Sequence, residues 1–330
     1  MSLPELEQLE SLIERLGERV RTDVLARDSG YPINGWEVGA PEQDAPCLVL
    51  VGGVHGLERI GTKVVLAYLG SLAERLQWDE LTRHALCRSR IAAIPLLNPV
   101  GMRAGTRCNG NGVDLMRNGP ATADGEAFPL VGGQRFSPLL PWYMGPEGRL
   151  EPESKALIDF VTSRVLGAKA AIALDVHSGF GFQDRLWFPY ARTRQPFPNT
   201  SEVYALYELL NQTLPHHVYR TEPQSRAYTA DGDLWDYLYD ESRAHGAGVF
   251  VPMTLEMGSW TWVRKNPRQL LSLPGTFNPI KHHRLQRTLR RHLLLIDFLH
   301  RAVVGHRAWA ELDALHRERC LSLAVNLWFT

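Results

Sequence analysis

Between Leu3 and Val20 the apolar residues Leu6, Leu9, Ile13 and Leu16 recur at three- and four-residue spacings among Glu and Arg. That pattern predicts an amphipathic packing helix with a charged outer face, assigned to residues 1–25. The pattern then changes to short apolar runs. Cys47–Val51 and Arg90–Leu97 end at Gly or Asn-Pro, and Ala170–Leu174 and Val249–Leu255 are similar. Such runs predict strands buried on both faces. Thr62–Leu76 and Pro152–Leu166 read as helices between them, the second opened by Glu-Pro-Glu, where Pro and acidic side chains suit a first turn. The alternation predicts a three-layer α/β/α domain around a mixed, mainly parallel central sheet.

No internal repeat or low-complexity tract divides the 330 residues. A single domain over 1–330 is expected, with a C-terminal helical extension over 280–330. Residues 105–150 are rich in Gly, Pro and Asn without periodicity, which marks a site-forming loop rather than a linker. Lys+Arg and Asp+Glu each total 36, a formal net charge of zero that argues against a general polyanion binder. The basic run Lys281–Arg291 alternates with Leu285 and Leu289 and reads as the solvated face of a helix. Cys47, Cys87, Cys108 and Cys320 form no CxxC and are expected to be buried reduced thiols. The N-terminal stretch lacks an apolar signal core, and no segment approaches the roughly 18 apolar residues of a membrane span. A cytoplasmic location with no nucleic-acid or membrane partner is expected; the oligomeric state is not legible.

The candidate chemistry begins where the first apolar run ends, in Val51-Gly-Gly-Val-His55-Gly-Leu-Glu58. A His and a Glu three apart, on a strand-end loop entering a helix, can turn an imidazole nitrogen and a carboxylate towards one metal ion. Two other segments agree. In Leu174-Asp-Val-His177-Ser-Gly a His follows an apolar run at a strand end, and Asp175 could orient its ring. In Val251-Pro-Met-Thr-Leu-Glu256-Met-Gly a carboxylate closes an apolar strand, where it would be costly unless it served a site. The Gly- and Asn-rich stretch Asn98–Asn118 supplies Arg107 and Arg117, whose guanidinium forks suit a carboxylate or a developing oxyanion. No GxSxG, HExxH, Walker or GxGxxG motif follows a strand. His216 and His217 are adjacent and diverge, and His282, His283, His292, His300, His306 and His316 are expected at the surface.

Taken in order, HxxE, NPxG with Arg107 and GVDLMRN, DVHS and a strand ending in Glu256 resemble the zinc carboxypeptidase family, the carboxypeptidase A-like metallopeptidases, in a bacterial-type cytoplasmic member. The resemblance covers about Val51 to Gly258. It implies one zinc ion per chain on His55, Glu58 and His177, Arg107 as oxyanion stabiliser, Arg117 as anchor for a terminal carboxylate and Glu256 as general base. It also implies a mobile Tyr at Tyr228, with Asp236 in the specificity wall beside Trp235. Two positions depart from the family pattern. Met116 stands where an Asn usually precedes the anchoring Arg, and a thioether cannot donate the hydrogen bond an amide can. Leu57 stands where the digestive members carry a second Arg. The implied activity is hydrolysis of a C-terminal peptide bond; the alternatives are an amidase or deacylase acting on a murein peptide or an N-acyl amino acid, and a catalytically silent binding protein on the same fold.

Overall fold

The structure, a computed structural model, describes residues 3–125 and 127–330. Among the described residues eight strands form one sheet: β1 (Arg21–Asp28), β2 (Tyr31–Gly39), β3 (Cys47–Gly52), β4 (Arg90–Ile94), β5 (Ala170–Ser178), β6 (Arg185–Phe188), β7 (Arg220–Pro223) and β8 (Val249–Met257). Their order is β1-β2-β4-β3-β5-β8-β6-β7. The inner four, β4, β3, β5 and β8, run parallel, and antiparallel pairings begin at β2 and β6 on either side. The helices Arg59–Trp78 and His282–Val304 pack together over β3 and β5, while Pro152–Val165 and Leu234–Ala244 pack together over β1, β2, β3 and β8. Covered on both faces, the inner strands have no solvated side, and for that reason they read as unbroken apolar runs.

The first 28 residues differ from expectation. The N-terminal helix spans Pro4–Leu16, and Arg21–Asp28 is an edge strand paired through a Ser29-Gly30 turn to β2. Five of the eight β1 residues are exposed, the first four among them, and the pairing carries a bulge between Val24 and Ala26, so no apolar run announces it. Pro32 and Gly35 inside β2 read as breakers, yet Ile33 and Trp36 of that strand are fully buried. No helix among the described residues is long and apolar enough to cross a membrane.

Two expectations about single residues are corrected. Cys47 and Cys320 are buried thiols, but Cys87 is exposed and Cys108 partly so; all four are free. His292 and His300 are buried, on the inward stripe with Leu295, Ile296, Leu299 and Val303, because the basic face of this helix stops where it reaches the core. His292 Nδ1 lies 3.0 Å from the Tyr219 hydroxyl and His300 Nε2 lies 3.0 Å from Ser89 Oγ. Burial pushes both imidazoles down to about 4. In the unfolded chain they titrate near about 6.5. Below that pH the unfolded state takes up protons that the folded state refuses, so stability is retained above pH ~6.5 and lost as pH falls towards ~4. The expected loss is up to about 3 kcal/mol per ring. Urea unfolding at pH 7 and pH 4.5 should show it, with a shallower pH dependence in His300→Gln; identical slopes would remove His300 from the account.

Candidate active site

The site is built where β3, β5 and β8 end on the same edge of the sheet. After β3 the chain turns through Gly53–Leu57, carrying His55, and Glu58 stands at the entry to the helix Arg59–Trp78. Two close approaches set this corner. A Cβ on Gly61 would lie 2.1 Å from the Val176 carbonyl oxygen, and one on Gly56 would lie 2.0 Å from the Gly101 carbonyl carbon. Only glycine lets the first turn of the helix touch the end of β5, which puts Glu58 against His177.

The three side chains converge. His55 Nδ1 lies 2.9 Å from Glu58 Oε1, and His177 Nδ1 lies 3.1 Å from His55 Nδ1 and 3.2 Å from Glu58 Oε2. All three are 3 % exposed. The opposite ring nitrogens each face an acid: His55 Nε2 is 3.0 Å from Asp114 Oδ1, and His177 Nε2 is 2.8 Å from Asp175 Oδ2. Trp235 Nε1 donates to the same Asp175 oxygen at 2.9 Å. Two imidazoles and a carboxylate, each imidazole backed by a second carboxylate, are the donor set and the outer support that a zinc ion takes. The residues therefore fit a divalent metal, and His55, Glu58 and His177 would hold it. A second cluster of Glu208, His316 and Cys320 differs, because Arg319 donates to both Glu208 oxygens at 3.0 and 2.7 Å.

Parallel register brings in the fourth group. His177 and Glu256 are direct neighbours across the β5–β8 pair, so the pleat turns both to one face. Glu256 is 8 % exposed and accepts a hydrogen bond from the Phe180 N–H at 3.0 Å. Burial, reinforced by the charge of Glu58, raises its carboxyl to about 8. Glu58 itself is held below the usual carboxylate range: burial opposes its charge, but the two histidines outweigh it. Arg107 Nε donates to Asp114 Oδ2 at 2.8 Å, and its Nη1 reaches Glu58 Oε1 at 3.5 Å. Burial disfavours its charge, yet Asp114 and Glu58 keep it firmly protonated. Asp114 thus supports a histidine and an arginine at once. Sequence reasoning gave it no role; the available signal was an acid flanked by Val113 and Leu115 inside an otherwise polar loop.

Arg117 and Tyr228 meet in the same cleft. Arg117 is 2 % exposed; its guanidinium donates to the carbonyls of Met116 (3.1 Å) and Val131 (3.2 and 3.3 Å) and to the Tyr228 hydroxyl (3.3 Å). The two segments are tied by Gly119 N–H to the Gly232 carbonyl at 2.7 Å. Met116 and Leu57 line the cleft, so both departures from the family pattern fall on its wall. The cleft has a volume of about 980 Å³ and is lined by His55, Glu58, Arg107, Met116, Arg117, His177, Tyr228 and Glu256. Asp236 is the exception and corrects the expectation for it. Its buried carboxylate points away from the cleft and accepts the backbone N–H groups of Ala191 and Arg192 at 2.8 to 3.0 Å. Trp235 beside it serves Asp175 rather than a specificity wall, because the helix Leu234–Ala244 turns both side chains inward.

The zinc carboxypeptidase family model, Peptidase_M14, matches residues 10–262. This chain belongs to the zinc carboxypeptidase family. Among curated relatives it is 30 % identical to carboxypeptidase A5 of Macaca fascicularis over 133 residues, 39 % of this chain and 28 % of that protein. It is 27 % identical to carboxypeptidase A2 of Rattus norvegicus over 217 residues, 60 % of this chain and 49 % of that protein. The chain thus spans between 28 % and 49 % of the length of these relatives. In fold it is similar to bovine thrombin-activatable fibrinolysis inhibitor, solved in complex with tick carboxypeptidase inhibitor (TM-score 0.68, 20 % identity, covering 93 % of this chain and 98 % of that one). The carboxypeptidase A from Helicoverpa armigera aligns with a TM-score of 0.65 at 16 % identity, covering 90 % of this chain and 71 % of that one. The three-layer zinc carboxypeptidase fold follows from this membership.

Proposed function

We propose that this chain is a zinc-dependent carboxypeptidase that removes the C-terminal residue of a peptide, with one zinc ion on His55, Glu58 and His177. The observation that carries the reading is the pairing of two features in one cleft: the His-Glu-His convergence beside Glu256, and a buried guanidinium bonded to a tyrosine. His55, Glu58 and His177 would hold the zinc ion, which would supply a Lewis acid for the scissile carbonyl and for the attacking water. Glu256, placed beside His177 across the β5–β8 pair, takes the proton of the attacking water and passes it to the departing amine. Arg107, kept charged and held by Asp114, meets the oxyanion as it grows. Arg117 holds the terminal carboxylate of the substrate and Tyr228 closes over it. The four free thiols support the cytoplasmic location expected from the sequence.

A second reading, an amidase or deacylase, is favoured by one observation. Met116 offers no donor beside Arg117, and Arg117 already spends N–H groups on the Met116 and Val131 carbonyls. Comparing a free-acid peptide with its C-terminal amide separates the two. A charge-assisted contact of about 1.5–3 kcal/mol predicts a preference for the free acid of roughly 10–150-fold in kcat/KM, abolished in Arg117→Ala. Equal rates on both peptides in the wild type would rule out recognition of a terminal carboxylate and leave the amidase reading, since an N-acyl amino acid also carries a free α-carboxylate.

A further inference from the structure

The Glu-Pro-Glu that opens the helix Pro152–Val165 does more than start it. Glu151 stands at the helix N-cap, yet its side chain makes no capping bond, and Glu153 follows in the first turn. Both are 1 % exposed. Burial, reinforced by Asp28, pushes the Glu153 carboxyl up to about 7. Acids buried in this way are costly to keep without partners. Their partners are amides from the loop that forms the site. Asn109 Nδ2 donates to Glu151 Oε2 at 2.9 Å and to both Glu153 oxygens at 3.2 Å, and Asn111 Nδ2 donates to the same Glu151 oxygen at 2.5 Å.

Asn109 is also where that loop closes on itself. Its Oδ1 accepts the N–H groups of Asn111 and Val113, both at 3.0 Å, and its own N–H donates to the Val113 carbonyl at 2.9 Å. Arg107 lies two residues before this turn and Asp114 directly after it, so the turn fixes the backbone positions from which the Arg107–Asp114 bond forms. The far end of the stretch is tied to the same helix start, because the Glu151 N–H donates to Asn118 Oδ1 at 2.7 Å, next to Arg117. We propose that Glu151 and Glu153 are positioning residues for the reaction: through Asn109 they hold the turn that aims Arg107, braced by Asp114, at the growing oxyanion. This rests on the role proposed for Arg107; neither acid lines the cleft. Removing an oxyanion donor costs about 10²–10³ in turnover, and misplacing one by about 1 Å costs up to about 10². The loss falls on kcat, since Arg107 acts as charge develops in the transition state.

The test reverses one contact in the zinc-loaded full chain. Asn109→Asp keeps the oxygen that accepts the Asn111 and Val113 N–H groups but sets a carboxylate against Glu151 and Glu153. It should lower kcat about 10–100-fold with KM within about threefold of wild type. Adding Glu153→Gln supplies an amide donor in the reverse sense and should recover kcat at least about fivefold. In an Arg107→Ala background, Asn109→Asp should cost less than about threefold more, because the group it misplaces is gone. Should Asn109→Asp not fold, Glu153→Met removes an acceptor without adding a charge, and its kcat loss should likewise vanish in the Arg107→Ala background. A merely structural role gives a lower urea midpoint with undiminished kcat, or losses that multiply with that of Arg107→Ala; either result, or no recovery in the paired variant, overturns the inference. Wild-type kcat in Arg107→Ala alone overturns instead the reading of Arg107 on which it rests.

Discussion

Glu256→Gln is expected to fold, to retain its metal, and to lose about 10²–10⁴-fold in kcat with little change in KM. The substitution is isosteric, and the amide oxygen can still accept the Phe180 N–H that now reaches Glu256 Oε1 at 3.0 Å. It removes a carboxylate that burial and Glu58 already make costly, so no loss of stability is expected. What disappears is the ability to accept a proton from the attacking water, since an amide has no basic lone pair to offer. Steady-state kinetics with metal analysis on the same preparation decide the matter: turnover within tenfold of wild type would place the base on another residue.

His177→Ala should lose stoichiometric zinc and, with it, detectable hydrolysis. One of three convergent ligands is removed, and the two that remain, His55 and Glu58, are adjacent on one turn and cannot enclose an ion. The variant also leaves Asp175, fully buried, with Trp235 Nε1 as its remaining side-chain donor, so some loss of stability accompanies the loss of metal. Asp175→Asn gives the graded control. It keeps the ligand but weakens the acid behind it, which should lower zinc affinity about 10–100-fold without abolishing it. Equilibrium dialysis against a competing chelator measures both. Full zinc occupancy in His177→Ala would sink the ligand assignment, and unchanged affinity in Asp175→Asn would mean that the 2.8 Å contact to the ring contributes nothing to the site.

Much of this site was legible because its residues sit at the ends of strands that announce themselves. β3, β5 and β8 are covered by helices on both faces, so their sequences are unbroken apolar runs, and the polar residues His55, His177 and Glu256 stand out at or just beyond their ends. The edge of the sheet was silent for the converse reason. β1 is half solvated and bulged, and β6 and β7 are four residues each, too short for any periodicity to show. The histidines of the long C-terminal helix were misplaced because a basic run describes only the face that carries it; His292 and His300 belong to the opposite stripe, where packing against Tyr219 and Ser89 decides their environment.

Local pattern by itself determined the buried strands and the helices between them, and it marked His55, Glu58, His177 and Glu256 as candidates for chemistry because each stands at or near the end of an apolar run. The tertiary structure decided everything that depends on residues meeting across the chain. Asp114 takes its place because His55 and Arg107 arrive from two segments at its two oxygens, and Asp236 leaves the cleft because Ala191 and Arg192 present N–H groups on the other side of its helix. Tyr228 meets Arg117 across 111 residues of sequence only because the segments carrying them are tied at Gly119 and Gly232. A side chain's identity is a local fact, but its partner is chosen by which backbones the sheet and its close contacts bring within hydrogen-bonding distance.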